Sequence, residues 1–179
     1  MLEGIHKIHL IGIGGSGMRA IANILIQKGY EVSGSDVKES DVIERFRQMG
    51  ATVHIGHNAD YVQGVDAVVR STAIREDNPE IVAAKEQGIT ILHRSDIVKA
   101  VLDVTNGIAV AGAHGKTSTT SMIGQILVEG QMEPTVIIGG EVDYLKGSSC
   151  LGKGEYSVVE ADESDGSFLK LRPKTIVIT

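Results

Sequence analysis

Two glycine-rich segments constrain the fold of this chain more than any other feature of its sequence. The first spans residues 12–17 (GIGGSG) and the second residues 112–117 (GAHGKT). Each follows a short apolar run and precedes apolar residues at helical spacing, which is the strand–turn–helix setting of phosphate-binding loops. Because glycine lets backbone N–H groups approach a ligand closely, both segments predict nucleotide sites in an α/β protein.

Short apolar runs alternate with helical patterns along the first hundred residues. The periodicity predicts strands at residues 7–11, 31–35, 52–55, 67–70 and 90–92, and helices at residues 18–28, 41–49, 79–87 and 95–102. Strands that alternate regularly with helices indicate a parallel sheet covered on both faces. The predicted first domain, residues 1–104, is therefore a Rossmann-like α/β domain.

A second unit is predicted to begin at residue 105. Its pattern predicts a strand at 106–111, a helix at 117–129, a loop over the glycine-rich residues 139–154, and strands at 156–160 and 175–179. Met122, Ile123, Ile126 and Leu127 have the spacing of a helical core face. A doubly wound domain has too few strands here to close a core. We therefore expect residues 105–179 to be the incomplete start of a P-loop ATP-binding α/β domain in a longer protein.

Composition narrows the classes of function. The net charge of −6 argues against a nucleic-acid or anionic-membrane surface, which requires a basic face. The single cysteine, Cys150, cannot form an internal disulfide and has no evident histidine partner for catalysis. The N-terminus lacks the pattern of a signal peptide, and no apolar run approaches the roughly 18 residues of a membrane helix. These features predict a cytoplasmic protein with no nucleic-acid or membrane partner.

The second glycine-rich segment predicts ATP binding. Lys116 is placed to reach the β- and γ-phosphates, and the hydroxyl of Thr117 is placed to hold Mg²⁺. The common pattern G-x-x-x-x-G-K-[ST] would have glycine at position 110, where this chain has Val110. A glycine-rich turn with a solvated lysine is the alternative. For His114 we favour a role in shaping the loop over acid–base chemistry.

The first segment fits the G-x-G-x-x-G pattern through Gly12, Gly14 and Gly17, and Asp36 follows the second predicted strand. An acidic residue at that distance meets a ribose hydroxyl in dinucleotide-binding folds. The pattern alone favours NAD, with a purely structural turn as the alternative. An NAD-dependent oxidoreductase has no use for an ATP loop, however, whereas a ligase that activates a nucleotide-linked substrate does.

An acidic cluster at residues 160–165 (EADESD) follows a predicted strand. Ligands bind at the carboxyl ends of parallel strands, so an acidic residue here is suited to completing a Mg²⁺ shell begun by Thr117. A solvated acidic turn is the alternative reading.

In combination these elements resemble the Mur ligases of bacterial peptidoglycan synthesis, and within them the branch that attaches L-alanine. The resemblance rests on residues 8–18 (IHLIGIGGSGM), 32–36 (VSGSD), 71–80 (STAIREDNPE), 111–120 (AGAHGKTSTT) and 158–173 (VVEADESDGSFLKLRP). It implies UDP-N-acetylmuramate, L-alanine and ATP as partners, Mg²⁺ as cofactor, and a monomer or homodimer.

The resemblance also implies roles for individual residues. The UDP-sugar site would contain Gly12, Ile13, Gly14, Gly15, Ser16, Gly17, Met18, Asp36, Ser71, Thr72, His57 and Arg94. The ATP site would contain Gly112, Ala113, His114, Gly115, Lys116, Thr117 and Ser118, with Lys116 catalytic. Thr117 and Glu160 would bind the metal, with Glu163 and Asp165 as alternatives to Glu160.

The implied reaction is ATP-dependent amide formation through an acyl phosphate. The family has a C-terminal domain that completes the ATP and amino-acid sites, and this sequence lacks it, so we expect the chain alone to be inactive while it retains UDP-substrate binding. Three alternatives stay open: a related Mur ligase that adds a peptide, an NAD-dependent oxidoreductase, and a non-catalytic nucleotide-binding module.

Overall fold

The computed structural model describes residues 1–162 and 166–179. The chain divides into two compact units, Leu2–Arg94 and Ser95–Thr179, with Met1 grouped with the second. Each unit contains one β-sheet. The division into functional domains at residues 104 and 105 stays a prediction.

The first unit is a Rossmann-like parallel sheet with helices between its strands. Its sheet order is β3-β2-β1-β4-β5, and all four strand pairs are parallel. The predicted α/β class is confirmed, and the predicted boundaries of its elements differ from the structure by no more than two residues. In chain order the elements are β1 (Lys7–Ile11), α1 (Ser16–Gln27), β2 (Glu31–Asp36), α2 (Asp41–Gln48), β3 (Thr52–Ile55), a 3-10 helix (Ala59–Val62), β4 (Ala67–Arg70), α3 (Pro79–Glu86) and β5 (Thr90–His93).

Local chemistry fixes where the helices of this unit begin. The Ser40 hydroxyl accepts the N–H of Ile43 at the start of α2. The Asn78 side chain accepts the N–H of Glu80 at the start of α3. Pro79 fits the first turn of this helix because N–H groups there have no partner within the helix, so its missing N–H costs no hydrogen bond. The core between sheet and helices is apolar and fully buried at Ile8, Leu10, Ile11, Ile21, Ile24, Leu25, Val68, Val69 and Ile81.

The second unit carries a mixed sheet. The strand order is β10-β6-β9-β7-β8, with β8 antiparallel to β7 and the other pairs parallel. Its described elements are α4 (Arg94–Leu102, which begins at the last residue of the first unit), β6 (Asn106–Ala111), α5 (Lys116–Glu129), β7 (Thr135–Val142), a 3-10 helix (Asp143–Leu145), β8 (Gly147–Cys150), β9 (Tyr156–Glu160), a second 3-10 helix (Ser167–Lys170) and β10 (Thr175–Ile178).

The prediction of a loop over residues 139–154 is wrong, because β7 extends to Val142 and β8 occupies Gly147–Cys150. The composition of the segment is misleading for a physical reason. Ser148 and Ser149 are buried although they are small and polar, since β8 pairs with β7 through its backbone.

The predicted core face of α5 is wrong at two positions. Met122 and Ile126 are exposed, whereas Thr120 and Gly124 are the buried residues of the helix. A Cβ atom on Gly124 would lie 3.2 Å from the side chain of Val136, so the helix contacts the sheet through its small residues. At 14 residues α5 is the longest helix that the structure describes, and none of the described helices is long and apolar enough to cross a membrane.

Candidate functional site

The residues predicted for the first site lie at one edge of the first sheet. Since its strands are parallel, their carboxyl ends share that edge, and ligands bind there in open α/β sheets. Every strand contributes: the glycine loop follows β1, Asp36 ends β2, His57 follows β3, Ser71 and Thr72 follow β4, and Arg94 follows β5.

The glycine loop at residues 12–15 is held by bonds within the protein. The N–H groups of Gly12 and Ile13 donate to the carbonyl of Ser35 at 2.8 and 3.0 Å. The N–H of Gly15 donates to the carbonyl of Gly12 at 3.0 Å, and that of Gly14 to the Asp36 carboxylate at 2.9 Å. The loop is thus ordered by its own contacts, and its first four N–H groups have protein acceptors.

The N-terminus of α1 offers a place for an anion. Ser16 and Gly17 open this helix, where N–H groups have no carbonyl partner in the preceding turn and the helix dipole is positive. A Cβ atom on Gly17 would lie 2.8 Å from Nη1 of Arg94, so the guanidinium lies directly beside this turn. The side chains of Ile13 and Met18 are buried, which leaves only their backbone for ligand contact.

The segment after β4 packs against the glycine loop. A Cβ atom on Gly12 would lie 3.5 Å from Cδ1 of Ile74. Ile74 is turned toward the loop by a bond from its N–H to the Ser71 carbonyl at 3.1 Å. Ser71 is half-buried and Thr72 is exposed. The predicted residues of this segment therefore lie next to the loop, as expected for two connections on either side of a topological switch point.

The sequence prediction missed a buried polar cluster under this edge. Glu80, fully buried on α3, binds Nδ1 of His57 at 3.0 Å and Nε2 of His9 at 3.0 Å. The hydroxyl of Ser35 donates to the same carboxylate at 2.8 Å. His57 itself is partly exposed. A histidine within the apolar run of β1 was the one available signal, because a polar residue there needs a buried partner.

Burial alone would raise the pKa of Glu80. Hydrogen bonds from His9, Ser35 and His57, together with the charge of His9, outweigh that desolvation and lower the pKa of Glu80 below its ordinary value. The carboxylate is therefore ionised at neutral pH.

In the second unit, the phosphate loop joins β6 to α5. Gly112 and Gly115 both have positive φ angles, 139° and 77°, which favour glycine. A Cβ atom on Gly112 would collide with the backbone of Thr179. The Lys116 ammonium donates to the Gly112 carbonyl at 2.6 Å, so the lysine lies over its own loop. Gly115 has no side chain to cap α5, which leaves the first N–H groups of this helix suited to phosphate.

Thr117 and Glu160 lie close together at the carboxyl edge of the second sheet, where Thr117 follows β6 and Glu160 ends β9. The Thr117 hydroxyl lies 3.1 and 3.2 Å from the two carboxylate oxygens of Glu160, and the N–H of Gly139 donates to one of them at 2.8 Å. A hydroxyl and a carboxylate are the oxygen donors that Mg²⁺ prefers. Residues 1–162 and 166–179 contain no group of three or more His, Cys, Asp or Glu able to hold a metal. The pair of a hydroxyl and a carboxylate suits a cation that also binds phosphate and water.

Other residues considered from the sequence have simpler surroundings. His114 is exposed on the phosphate loop. Burial raises the pKa of the Cys150 thiol, and its Sγ donates to the Pro134 carbonyl at 3.5 Å, which disfavours a nucleophilic thiolate. Glu163 and Asp165 lie outside the described residues.

The fold is that of an α/β protein with a Rossmann-like parallel unit and a second unit in which a glycine-rich loop joins β6 to α5. The chain belongs to the Mur ligase family: the family model described as "Mur ligase family, catalytic domain" matches residues 7–104, which is more than half of the chain.

Curated relatives match along the whole chain. The UDP-N-acetylmuramate–L-alanine ligase of Geobacter sulfurreducens is 49% identical over 179 residues, which is 100% of this chain and 39% of the relative. The ligase of the same name from Desulfatibacillum aliphaticivorans is 48% identical over 97% of this chain and 38% of its own length. The chain thus spans less than two fifths of these relatives.

Solved structures agree with the fold. The UDP-N-acetylmuramate-alanine ligase of Thermotoga maritima superimposes with a TM-score of 0.89 at 35% identity, covering 96% of this chain and 40% of that one. The UDP-N-acetylmuramate:L-alanyl-gamma-D-glutamyl-meso-diaminopimelate ligase of Neisseria meningitides superimposes with a TM-score of 0.90 at 28% identity, covering 98% of this chain and 60% of that one.

Proposed function

We propose that this chain forms the UDP-sugar-binding part and the phosphate-loop part of an ATP-dependent ligase that joins L-alanine to UDP-N-acetylmuramate. The observation that carries the proposal is the pairing, in one chain, of a Rossmann-like edge lined by Arg94 and Asp36 with a phosphate loop followed by Glu160. Relatives of the same name at 48% and 49% identity support the choice of substrate. The cytoplasm is the proposed location.

The diphosphate of UDP-N-acetylmuramate would bind at the N-terminus of α1. The N–H groups of residues 12–15 already have acceptors, so the N–H groups of Ser16 and Gly17 and the hydroxyl of Ser16 are the donors in position. The guanidinium of Arg94 beside Gly17 would neutralise part of the diphosphate charge. His57, Ser71 and Thr72 would line the remainder of the nucleotide pocket.

ATP would bind at the second loop, over residues 112–118. The N–H groups that open α5 would hold phosphate oxygens. Lys116 would exchange its bond with the Gly112 carbonyl for the β- and γ-phosphates. Mg²⁺ would be held by Thr117 and Glu160, and it would supply charge neutralisation at the phosphates.

The proposed chemistry has two steps. The muramate carboxylate attacks the γ-phosphorus of ATP and the bond to the β,γ-bridging oxygen breaks. The products of this step are an acyl phosphate and ADP. The amine of L-alanine then attacks the acyl carbon, inorganic phosphate leaves, and the amine loses a proton to solvent or a base. In the first step Lys116 would stabilise the charge that develops on the transferred group.

Calorimetry on the 179-residue chain tests the first half of the proposal. We expect UDP-N-acetylmuramate to bind, NADH not to bind, and ATP with Mg²⁺ to bind more weakly than the UDP-sugar. Binding of NADH in place of the UDP-sugar would contradict the assignment and favour an oxidoreductase.

The proposed preference for L-alanine is tested with a polypeptide that extends this chain to the length of its relatives. The likeness to the Neisseria ligase makes peptide addition the competing function. Turnover with L-alanine and not with L-alanyl-gamma-D-glutamyl-meso-diaminopimelate is the expected result, and the reverse preference would contradict it.

A further inference from the structure

We infer that Glu80 is a positioning residue for the nucleotide site, acting through His57 and Ser35. The inference rests on the proposed function, because it assigns the support of the same ligand edge. Glu80 lies on α3 and is fully buried, so it does not itself touch a ligand. Its carboxylate instead connects residues from two strands, β1 and β2, and from the connection after β3.

The hydrogen bonds of Glu80 determine which ring nitrogens carry hydrogen. Oε2 lies 3.0 Å from Nε2 of His9 and accepts the Ser35 hydroxyl at 2.8 Å. Oε1 lies 3.0 Å from Nδ1 of His57 and accepts the N–H of Asn58 at 3.3 Å. An ionised carboxylate has about four acceptor positions and no donor, so these four partners fill it. Each histidine nitrogen that faces Glu80 must therefore be an N–H.

This requirement fixes Nδ1 of His57 as an N–H directed at Glu80. With Nδ1–H donated to Glu80, Nε2 is the ring atom left for a ligand at the carboxyl edge of the sheet. The His57 side chain is 22% exposed, so its ring is partly accessible from that edge. In the Nδ1–H tautomer, Nε2 is an acceptor, which suits a hydroxyl or N–H group of a nucleoside.

The second connection runs through Ser35. Its side chain is bound to Glu80, while its carbonyl accepts the N–H groups of Gly12 and Ile13. Glu80 thus binds Ser35 on β2, and the carbonyl of Ser35 in turn binds the glycine loop. On the opposite side His9 is bound to both Glu80 and the Ser33 hydroxyl, which ties β1 and β2 to α3. One buried carboxylate therefore sets both the loop and the histidine.

The variant Glu80→Gln tests the inference because it keeps the shape of the side chain. Each carboxylate oxygen of Glu80 accepts two hydrogen bonds. Glutamine keeps one oxygen and replaces the other with an NH₂ group, so the two donors on that side would face a donor instead of an acceptor. We expect long-range ¹H–¹⁵N spectra of the labelled 179-residue chain at pH 8 to show Nδ1–H for His57, and to show loss of that form in Glu80→Gln. The affinity for UDP-N-acetylmuramate should fall about tenfold, as for loss of one charged hydrogen bond.

Two further variants sharpen the result. Glu86→Gln removes an exposed carboxylate from the same helix and should change neither tautomer nor affinity. His57→Asn can keep a donor toward Glu80 while it loses Nε2, so it should weaken binding with the amide shifts of residues 12–17 retained.

The outcomes separate this inference from the proposed function. An Nε2–H form of His57 in the unmodified chain would overturn the inference without any ligand, even if Glu80→Gln does not fold. Unchanged tautomer and affinity in a folded Glu80→Gln chain would also overturn it. Failure of the unmodified chain to bind UDP-N-acetylmuramate, with His57 in the Nδ1–H form, would instead contradict the proposed function.

Discussion

The carboxylate of Asp36 accepts the backbone N–H of Gly14, with 2.9 Å between Oδ2 and the nitrogen. Its other oxygen accepts the N–H of Val37 at 2.8 Å. Asp36 therefore orders the glycine loop from the end of the neighbouring strand. A ribose hydroxyl would have to share this carboxylate with the two backbone donors, so the residue has a structural task as well as the predicted one in binding.

Asp36→Asn should weaken binding of UDP-N-acetylmuramate by about tenfold or more. Asparagine supplies one oxygen and one NH₂ group, so either Gly14 or Val37 would face a donor, and a bond to a charged group is lost. Titration calorimetry measures the effect. Glu44→Gln, an exposed change of the same charge on α2, should leave the affinity unchanged. Equal affinities for Asp36→Asn and the unmodified chain would show that the loop does not depend on this carboxylate.

Two glycine-to-alanine changes should separate an effect on stability from an effect on binding. A Cβ on Gly34 would lie 2.8 Å from the Leu10 carbonyl oxygen and 2.8 Å from Cδ1 of Ile13, so Gly34→Ala should lower the free energy of unfolding by about 1–3 kcal/mol. A Cβ on Gly17 would meet only the flexible end of Arg94. Gly17→Ala should therefore preserve stability but weaken UDP-sugar binding by displacing the guanidinium. Urea unfolding and calorimetry together check both, and unweakened binding by Gly17→Ala would argue against a role for Arg94.

Lys116→Ala should reduce turnover at least about a hundredfold in a polypeptide of the relatives' length, the usual scale for one electrostatic stabiliser. The lysine is placed on the loop by its bond to the Gly112 carbonyl, within reach of any phosphate bound there. Steady-state kinetics measures the loss. Lys153→Ala, at an exposed position of the same unit, is the control and should retain activity. Near-normal turnover in Lys116→Ala would refute the assigned role.

The stability contributed by Glu80 should depend on pH. Because folding lowers the pKa of Glu80 from an ordinary value of 4.5, its contribution is present above that pH and is lost as pH falls through the lower pKa of the folded state. At pH 7, Glu80→Gln should lower the free energy of unfolding by about 1–3 kcal/mol, since buried donors lose their acceptor. The difference from the unmodified chain should shrink as the pH falls from above 4.5 through the lowered pKa of folded Glu80. A difference that stays constant in urea unfolding over that range would contradict the lowered pKa.

The fold of the first unit could be predicted because its signals are local. Apolar runs such as 7–11 and the glycine turns that follow them are encoded within a few residues. Strand β8 could not be found in this way, since Ser148 and Ser149 are polar and are buried through the packing and pairing of the strand with β7 rather than through their own hydrophobicity. The same reason accounts for Met122 and Ile126, whose apolar spacing says nothing about which side of α5 contacts the sheet.

The candidate site likewise contains residues that local sequence patterns predict and contacts between distant residues that they do not. Loop residues such as Gly14 and Lys116 belong to patterns that can be read in sequence, and their assignment as ligand contacts stays a prediction. The partnership of Glu80 with His9 joins residues 71 positions apart, and no spacing rule indicates it. The sequence predicts that Thr117 and Glu160 share a metal ion; the structure places their oxygens 3.1 Å apart, and the metal site itself stays a prediction.

In the first sheet, the strands supply the buried core while the connections at one edge supply the groups suited to ligand contact. Selection can therefore act on recognition and on folding through largely separate residues. A change at Ser71 or Thr72 would alter the proposed pocket without touching a core side chain, whereas Glu80 and Ser35 are buried and would act on the pocket only through the groups they hold. Diversification of ligand preference among such proteins should accordingly concentrate in the connection after β4, with the Glu80 cluster as the part that is slowest to change.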